Sequence, residues 1–407
     1  MLRKYTYVRN NGLIYANPSS APMKTDKKLN VALAFPGTLA ISGNLLNGIF
    51  EYAREKRTWV IHRTPEQLSP SSTWLKHWHG DGALTMLTTE QELRQARKLP
   101  FPVVNVVGYV FSDKIPMVLH DNRAFGRLQA EHLLERHFKR LAYYGVKDLW
   151  YSRERLAGFL SVAHAAEVPV ETWMVQSGLH AQTHWVNQQE QLLKNLRKIK
   201  PPFAVAASTD MRANMVLEAC ASLGLRVPED VAMIGVDNDP TVIPFSNTPL
   251  TSIARNDDQV GYQAAALLDR LMHRQNVENL YVKIPPIHIV PRRSTQTLAV
   301  ESPELERLIQ DIQKNISKPF GVEFLVERSP ASRRSLEARF QHLLGCSPYA
   351  FITRLRVDHA KELLRSADAP NLTRIARASG FTDLRHFRTT FQRITGQSPS
   401  AFRKACL

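Results

Sequence analysis

Short apolar runs alternate with amphipathic segments through most of the chain. The runs span four to seven residues, as in Leu29–Phe35, Phe203–Ala207 and Val231–Val236, and segments with helical spacing separate most of them. Such runs are typical of strands buried on both faces of a parallel sheet. Because the alternation begins again near Val118, the pattern predicts two successive α/β units, and hence two lobes with a cleft between them.

These patterns divide the chain into four segments. Residues 1–28 are basic and aperiodic, which predicts a disordered tail, and residues 29–295 form the two-lobed α/β domain. Residues 296–303 are polar and predict a linker, and residues 304–407 are helical throughout. The predicted fold is therefore a two-lobed α/β domain followed by an all-α domain.

The second half of the all-α domain has the pattern of a helix-turn-helix. Two helical segments meet at Ser379–Phe381, and the second carries Leu384, Phe387 and Phe391 on one face. The opposite face carries polar and basic side chains, namely Arg385, His386, Arg388 and Thr389. A short helix, a Gly-containing turn and a second helix with a basic outer face predict a DNA-reading motif.

This stretch resembles the second helix-turn-helix of AraC-type transcription regulators. The matching residues are Ile375, Ala376, Gly380, Phe381, Phe387, Phe391, Gly396, Ser398, Pro399, Phe402 and Arg403. Val322–Arg328 and Ser332–Phe340 resemble the first motif of the same module, and its outward residues are Ser332, Arg333, Arg334 and Glu337. The resemblance implies two helix-turn-helix motifs that enter successive major-groove segments of double-stranded DNA.

A polar residue follows the strand at Val231–Val236. Asp237 stands at its carboxyl end, and Phe35 and Thr38 stand at the end of the first predicted strand. Open parallel sheets bind ligands at the carboxyl ends of their strands. These three residues are therefore predicted to line the cleft.

Residues 30 to 294 resemble the effector-binding core of LacI-type regulators and periplasmic sugar-binding proteins. The resemblance lies in 121–134, Arg155–Phe159, Gly224–Asp237 and 249–253. It implies a sugar cleft in which Asp237 accepts hydrogen bonds from sugar hydroxyls and Arg155 faces the ligand. It also places Thr209 and Asp210 at the ligand, with Thr where the family often has Asn, whereas Asp121 is expected to hold a loop or hinge more than a ligand.

The charge distribution agrees with a polyanionic partner for the all-α domain. Of the net charge of +16, residues 301–407 contribute +7 (18 Lys and Arg against 11 Asp and Glu) and residues 1–28 contribute +5 (6 against 1). Neutralising phosphates with basic side chains releases condensed counterions. On its own this is weak support, because many basic faces are simply solvated.

Several function classes are disfavoured. The three Cys residues are scattered, which indicates neither a disulfide framework nor a zinc site, and no nucleotide-binding, hydrolase or metalloprotease motif occurs. We therefore expect no metal, no cofactor and no enzymatic activity. No long apolar run and no signal-peptide core is present, so a cytoplasmic protein without membrane association is expected.

The order of the domains restricts the resemblance to one type of regulator. The α/β domain comes first and the helix-turn-helix domain last, as in AraC-type activators of pentose genes. This resemblance implies D-xylose as the effector, a homodimer, and recruitment of RNA polymerase. Two alternatives stay open: a regulator that responds to another sugar, and a sugar-acting enzyme fused to a DNA-binding module.

Overall fold

The fold is described from a computed structural model. It describes residues 28–35, 41–63, 73–177, 184–297, 302–344, 346–365 and 370–406. Most of the predicted tail and the middle of the predicted linker lie outside these ranges. Among the described helices, none is long and apolar enough to cross a membrane.

The described part of the α/β domain contains strands and helices in near-regular alternation. The strands are β1 Leu29–Ala34, β2 Trp59–Arg63, β3 Gly82–Thr85, β4 Val103–Asn105, β5 Met117–His120, β6 Leu141–Val146, β7 Val170–Val175, β8 Phe203–Ala207, β9 Val231–Asp237, β10 Thr251–Ala254, β11 Tyr281–Ile284 and β12 Ile289–Val290. The helices are α1 Ile41–Lys56, α2 Glu90–Ala96, α3 Asn122–Leu134, α4 Trp150–Ala165, α5 His184–Lys198, α6 Asp210–Ser222 and α7 Asp257–Met272.

The strands form two sheets of six, one in each lobe. Lobe 1 has the order β11-β5-β4-β3-β1-β2, and lobe 2 has the order β12-β10-β9-β8-β6-β7. Neighbouring strands are parallel except for β12, which runs antiparallel to β10. This confirms the predicted two-lobed α/β architecture and places the carboxyl ends of both sheets towards the connections between the lobes.

The repeating pattern predicted that each lobe is one continuous stretch of the chain, and the structure differs. The strands β1 to β5 belong to lobe 1, the chain from α3 to β10 belongs to lobe 2, and α7 and β11 return to lobe 1. Within the described residues the chain therefore crosses between the lobes three times, after β5, after β10 and after β11. The alternation of apolar runs marks where strands lie but carries no information about which sheet a strand joins, and this is why the prediction was wrong.

Close helix packing fixes each lobe. In lobe 1, α1 lies against α7, and a Cβ at Gly48 would stand 1.9 Å from the carbonyl oxygen of Asp258. In lobe 2, α3 lies against α4, and a Cβ at Gly126 would stand 1.8 Å from the carbonyl oxygen of Arg155. Since no side chain fits at these positions, glycine is required for the helix backbones to approach.

The carboxyl-terminal domain is all-α, as predicted. Its helices are α8 Pro303–Lys314, α9 Glu323–Val326, α10 Arg333–Leu344, α11 Pro348–Arg365, α12 Leu372–Ala378, α13 Leu384–Thr395 and α14 Pro399–Cys406. Leu336 and Phe340 of α10 are buried in one apolar cluster, and Phe387 and Phe391 of α13 are buried in another. The long helix α11 contributes to both clusters and so joins the two helix-turn-helix motifs.

Candidate functional site

The predicted ligand residue Asp237 lies between two buried guanidinium groups. Its Oδ1 atom is 3.5 Å from Nη1 of Arg155 and 3.0 Å from Nη1 of Arg255. Oδ1 is buried and has no hydrogen-bond partner of good geometry among the described residues. Buried charged groups are tolerated when they are paired, and Oδ1 is paired with both guanidinium groups. The Asp237 side chain as a whole is 11% exposed, so part of the carboxylate stays open to a ligand.

Arg155 is held in one position by lobe 2. Its Nε donates to Oδ1 of Asn122 at 3.0 Å, and its Nη1 donates to the carbonyl oxygen of Ser208. The guanidinium also lies over the rings of Phe125 and Tyr151, at 4.9 and 5.0 Å from their centroids. Arg155, itself held by these contacts, fixes the position of Asp237.

Arg255 belongs to the same cluster and was missed by the sequence analysis. It lies on the crossing from β10 to α7, and its Nη2 donates to Oδ2 of Asp257 at 3.1 Å, while its Nε is buried without a partner in the described structure. Oδ1 of Asp257 lies 2.8 Å from Nε2 of His120, at the end of β5. Arg255 therefore connects the strand end of lobe 2 to that of lobe 1. The one feature of the sequence that could have identified Arg255 is its position directly after the end of β10.

Burial and charge set the ionisation of this cluster. Burial lowers the pKa of His120, which favours the neutral ring. Burial acts to raise the pKa of Asp257, but the hydrogen bond from His120 and the charge of Arg255 outweigh it and lower that pKa. Arg255 therefore lies beside an ionised Asp257 carboxylate, and the site presents fixed donors and acceptors.

Aromatic side chains stand beside the charged cluster where the lobes meet. The backbone N–H groups of Trp150 and Tyr151 donate to the carbonyl oxygens of Tyr109 and Gly108, at 3.0 and 2.9 Å. The rings of Tyr109 and Tyr151 pack edge to face with centroids 5.8 Å apart. Burial, followed by the charge of Asp237, raises the pKa of Tyr109, which places this phenol in the field of the carboxylate. Polar groups beside aromatic walls are typical of small-molecule sites.

The other residues predicted at the ligand have different surroundings. The Thr209 hydroxyl caps α6 by accepting from the N–H of Arg212 at 3.3 Å, and Oδ1 of Asp121 caps α3 by accepting from the N–H of Ala124 at 3.1 Å. Phe35 is buried in the apolar cluster of lobe 1. Thr38 lies outside the described residues. The cap of Asp121 at the first crossing agrees with a hinge role, and ligand contacts by these four residues stay predictions.

Asp210 supports the loop that follows Asp237. Its Oδ1 accepts from the Ser252 hydroxyl at 2.6 Å, and its Oδ2 accepts from the N–H of Asp239 at 2.9 Å. A Cβ at Gly235 would stand 2.1 Å from Oδ1, so the carboxylate fits only against a glycine. Asp210 therefore acts as a positioning residue for the site.

Asp210 should make the stability of the domain fall as the pH rises. Burial, followed by the charge of Asp237, raises the pKa of Asp210 to about 7. Between its usual pKa and 7 the folded chain binds more protons than the unfolded chain, so raising the pH through this window lowers the free energy of unfolding. We expect the melting temperature of the α/β domain, measured by calorimetry from pH 5 to pH 8, to fall less in Asp210→Asn than in the unmodified protein.

Asp230→Asn is the matched control for this pH dependence. The side-chain hydrogen bond from Arg226 is the main cause that lowers the pKa of Asp230, so its titration lies below the window. This variant should keep the slope of the unmodified protein at a lower overall stability. Equal slopes in all three proteins would contradict the assignment to Asp210.

The second helix-turn-helix presents its predicted DNA residues to solvent. Asp383 caps α13 by accepting from the N–H of His386 at 2.7 Å, and Gly396 ends the helix with a φ of +78°. The side chains predicted to read DNA are all exposed, namely Arg385, His386, Arg388 and Thr389. The turn between α12 and α13 passes through Gly380, whose φ is +75°.

The first helix-turn-helix presents its predicted residues in the same way. Ser332 caps α10 by accepting from the N–H of Ser335 at 3.3 Å. Arg333 pairs with Glu337 at 3.1 Å and with Glu323 at 3.0 Å, while Arg334 is exposed. Because the pairs of Arg333 are at the surface, they are weak enough to exchange for a DNA contact.

Comparison with known proteins gives matches to both parts of the chain. Residues 130–295 match a model of a periplasmic binding protein-like domain, and residues 325–405 match a model of a helix-turn-helix domain. The xylose operon regulatory protein of Escherichia coli (strain K12) is 28% identical over 385 residues, which cover 93% of this chain and 97% of that protein. The protein of the same name from Haemophilus influenzae is 25% identical over 391 residues, covering 94% of this chain and all of that protein.

A solved structure extends the similarity to the whole arrangement. The structure of a xylose-binding transcription activator is 26% identical to this chain, covers 93% of it and 98% of its own chain, and superposes with a TM-score of 0.61. Both domains, in this order, are thus shared with full-length regulators. The chain therefore carries a periplasmic binding protein-like domain followed by a helix-turn-helix domain of the AraC type, the arrangement of the xylose operon regulators to which it is similar.

Proposed function

We propose that the protein is a cytoplasmic activator of pentose utilisation genes that binds D-xylose between the lobes and DNA through α10 and α13. The observation that carries the proposal is the partly exposed carboxylate of Asp237 at the carboxyl end of β9, flanked by the guanidinium groups of Arg155 and Arg255. The names of the similar proteins support xylose as the sugar. In this proposal the protein is not an enzyme.

The chemistry of the cluster suits a polyol. A carboxylate accepts hydrogen bonds from neighbouring hydroxyls, and guanidinium groups donate to hydroxyl and ring oxygens from fixed directions. The Tyr109 and Tyr151 rings cover the less polar faces of a small sugar ring. Ligands that leave Asp237 unpaired would be rejected, because a buried polar group without a partner is costly.

Binding between the lobes gives the sugar a means of control. Arg255 and Asp257 lie on one crossing and His120 precedes another, so a sugar held by this cluster touches the parts of the chain that move when lobes close. A ligand that binds one arrangement of the lobes more tightly shifts the population towards it. In a homodimer this would change the relative placement of the DNA modules and the recruitment of RNA polymerase.

The test is a calorimetric titration of the full-length protein with D-xylose, D-ribose and L-arabinose, followed by DNase footprinting with and without the sugar that binds. D-Xylose should bind most tightly, and the footprint should become stronger or longer in its presence. Absence of binding by all three pentoses would overturn the proposed effector class. Identical footprints would overturn control at the DNA-binding step.

Replacing Arg385 with alanine should weaken specific DNA binding by about 1–3 kcal/mol, since an arginine on the outer face of α13 is placed to contact a guanine edge. The measurement is a mobility shift with the selected duplex and with duplexes changed at single positions. Loss of discrimination at one base pair identifies the contacted base.

Arg94→Ala is the matched control for Arg385→Ala. Arg94 is exposed on α2 of the α/β domain, so the substitution removes the same charge far from the DNA module. If Arg385→Ala and Arg94→Ala gave the same affinity and the same base preference, Arg385 would not be a base-reading residue.

A further inference from the structure

The segment Arg292–Thr295, called the exit segment here, leaves lobe 2 towards the carboxyl-terminal domain and is bonded along its length to lobe 2. Ser294 Oγ donates to the carbonyl oxygen of Met233 at 2.6 Å and accepts from the N–H of Thr251 at 2.8 Å. Ser294 and Thr295 are buried. A change in the strands of lobe 2 therefore reaches the exit segment directly.

One end of the exit segment touches the loop that carries the ligand site. Nη2 of Arg292 donates to Oδ1 of Asn238 at 2.7 Å, and Nη1 donates to the carbonyl oxygen of Leu250 at 2.8 Å. Asn238 directly follows Asp237, and their φ angles are +49° and +121°. Backbone in this region persists only when its surroundings hold it, so a ligand that binds Asp237 acts on a strained junction.

The other end of the exit segment is hydrogen-bonded to α3. Thr251 Oγ1 accepts from the Arg292 N–H at 2.8 Å, and it lies 2.8 Å from Oγ1 of Thr295. Oγ1 of Thr295 is 2.9 Å from Nε2 of His132, and Nδ1 of His132 is 3.1 Å from Nη1 of Arg136. Six residues are thus connected from the ligand loop to the end of α3, with Arg292 joined to Thr251 through its backbone and to Asn238 through its side chain.

The direction of these hydrogen bonds follows from their chemistry. Arginine only donates, so Nδ1 of His132 accepts and its proton is on Nε2, which donates to Thr295. Burial, with the charge of Arg136 second, lowers the pKa of His132 well below its usual value, in agreement with a neutral ring. Thr251 donates to the carbonyl oxygen of Arg292 at 2.8 Å, so Thr295 must be the donor to Thr251.

The far end of this chain of bonds faces the DNA-binding domain. Arg136 Nε donates to the carbonyl oxygen of Thr295 at 2.9 Å, and Arg136 interacts electrostatically with Asp358 and Arg354 of α11. Just beyond the exit segment, the carbonyl oxygen of Gln296 accepts from Nε2 of Gln313 of α8 at 2.7 Å. Because α8 packs in the apolar cluster of the first helix-turn-helix, this hydrogen bond joins the exit segment to the DNA-binding domain.

We propose that Arg136, His132, Thr295, Thr251, Arg292 and Asn238 form a hydrogen-bond relay that couples the sugar site to the DNA-binding domain. The proposal rests on the proposed function and specifies how that function is regulated. The relay residues are positioning residues that do not themselves touch the ligand. Ligand binding at Asp237 sets the Asn238 backbone, and the relay transmits that setting to the exit segment and, through Gln296, to α8.

The test compares Thr295→Val with Thr295→Ser in the full-length protein. Valine keeps the volume and removes the hydroxyl at the middle of the relay, whereas serine keeps the hydroxyl. The quantity measured is the ratio of DNA affinities with and without D-xylose, on a duplex selected by the unmodified protein, together with the Kd for D-xylose. Asn238→Gly removes the last acceptor at a left-handed position that glycine tolerates, and Arg293→Ala is the control, because Arg293 is exposed within the exit segment.

We expect an unmodified ratio of about 5–150, and a ratio within about twofold of one for Thr295→Val and Asn238→Gly. Thr295→Ser and Arg293→Ala should keep the unmodified ratio, and the Kd of Thr295→Val for D-xylose should change by less than about threefold. Unmodified ratios in Thr295→Val or Asn238→Gly would overturn the relay alone. Loss of sugar binding in Thr295→Val would also overturn it, in favour of a structural role at the cleft. A ratio of one in the unmodified protein would overturn the relay and the proposed control together.

Discussion

The Asp237→Ala variant should bind D-xylose at least about 100-fold more weakly than the unmodified protein, because hydrogen bonds to a charged group contribute about 1.5–3 kcal/mol each. The carboxylate is the acceptor at the centre of the cluster, and its removal also leaves Arg155 and Arg255 close together without it. Breaking a buried ion pair destabilises by about 3–5 kcal/mol, so a lower melting temperature should accompany the loss. Calorimetric titration measures the affinity, and circular dichroism establishes that the variant is folded.

Asp237→Asn and Asp113→Ala separate the causes. Asparagine keeps the shape of the side chain and one acceptor oxygen. The Asp237→Asn variant should therefore bind D-xylose more tightly than Asp237→Ala but less tightly than the unmodified protein. Asp113 is exposed in lobe 1, so its removal changes the net charge by the same amount without touching the cluster. A folded Asp237→Ala protein with the affinity of Asp113→Ala would show that the sugar binds elsewhere.

The Gly380→Ala variant should lose specific DNA binding and melt its carboxyl-terminal domain several degrees earlier. Gly380 has a φ of +75°, and a Cβ there would stand 2.3 Å from the carbonyl oxygen of Ile316 and 2.7 Å from Nε of Arg356. The backbone of the second helix-turn-helix thus touches the α8–α9 connection of the first. Alanine would force the two halves of the domain apart and misplace the recognition helix. We expect the DNA affinity to fall by at least about tenfold, which corresponds to about 1.4 kcal/mol of binding free energy.

Gly396→Ala is the matched control, since it shares the backbone strain without the clash. Gly396 has a φ of +78°, but nothing stands within 4 Å of a Cβ built on it. It should therefore cost only about 1–2 kcal/mol, the strain of a left-handed alanine. Mobility shifts and thermal melts of both variants give the comparison. Equal losses in the two would mean that φ, and not the contact between the halves, explains the effect.

The local structure was predictable because it is encoded within a few residues. The apolar run at Phe203–Ala207 coincides with β8, since a strand buried on both faces has few polar positions. The end of α3 at Leu134 is less visible in the sequence, because the chain turns at His137, whose left-handed φ of +62° no helix pattern indicates. Boundaries set by turns are less visible than apolar runs.

The candidate site could be predicted from the sequence only at a strand end. Asp237 is the last residue of β9, and the rule for parallel sheets was enough to single it out as a candidate ligand residue. Arg255 pairs with Asp237, 18 residues away, and with Asp257. Asp257 in turn contacts His120 at the end of a strand in the other lobe, so the role of Arg255 depends on which strands share a sheet. Asp210 was predicted at the ligand and instead bonds inwards to Ser252 and to the loop after Asp237. The Asp210 carboxylate can point inwards only because Gly235 has no side chain, and residue spacing along the sequence does not reveal this contact.

The three crossings between the lobes reverse the order of folding relative to synthesis. Lobe 2 takes nearly all its elements from residues 122–254, whereas lobe 1 needs α7 and β11, which end at Ile284. At a ribosomal speed of about 5–20 residues per second, roughly 10–30 s separate the synthesis of β5 from that of β11, which covers its outer edge. Through that interval α1 has no α7 to receive Gly48, so the lobe made first waits for the lobe made second.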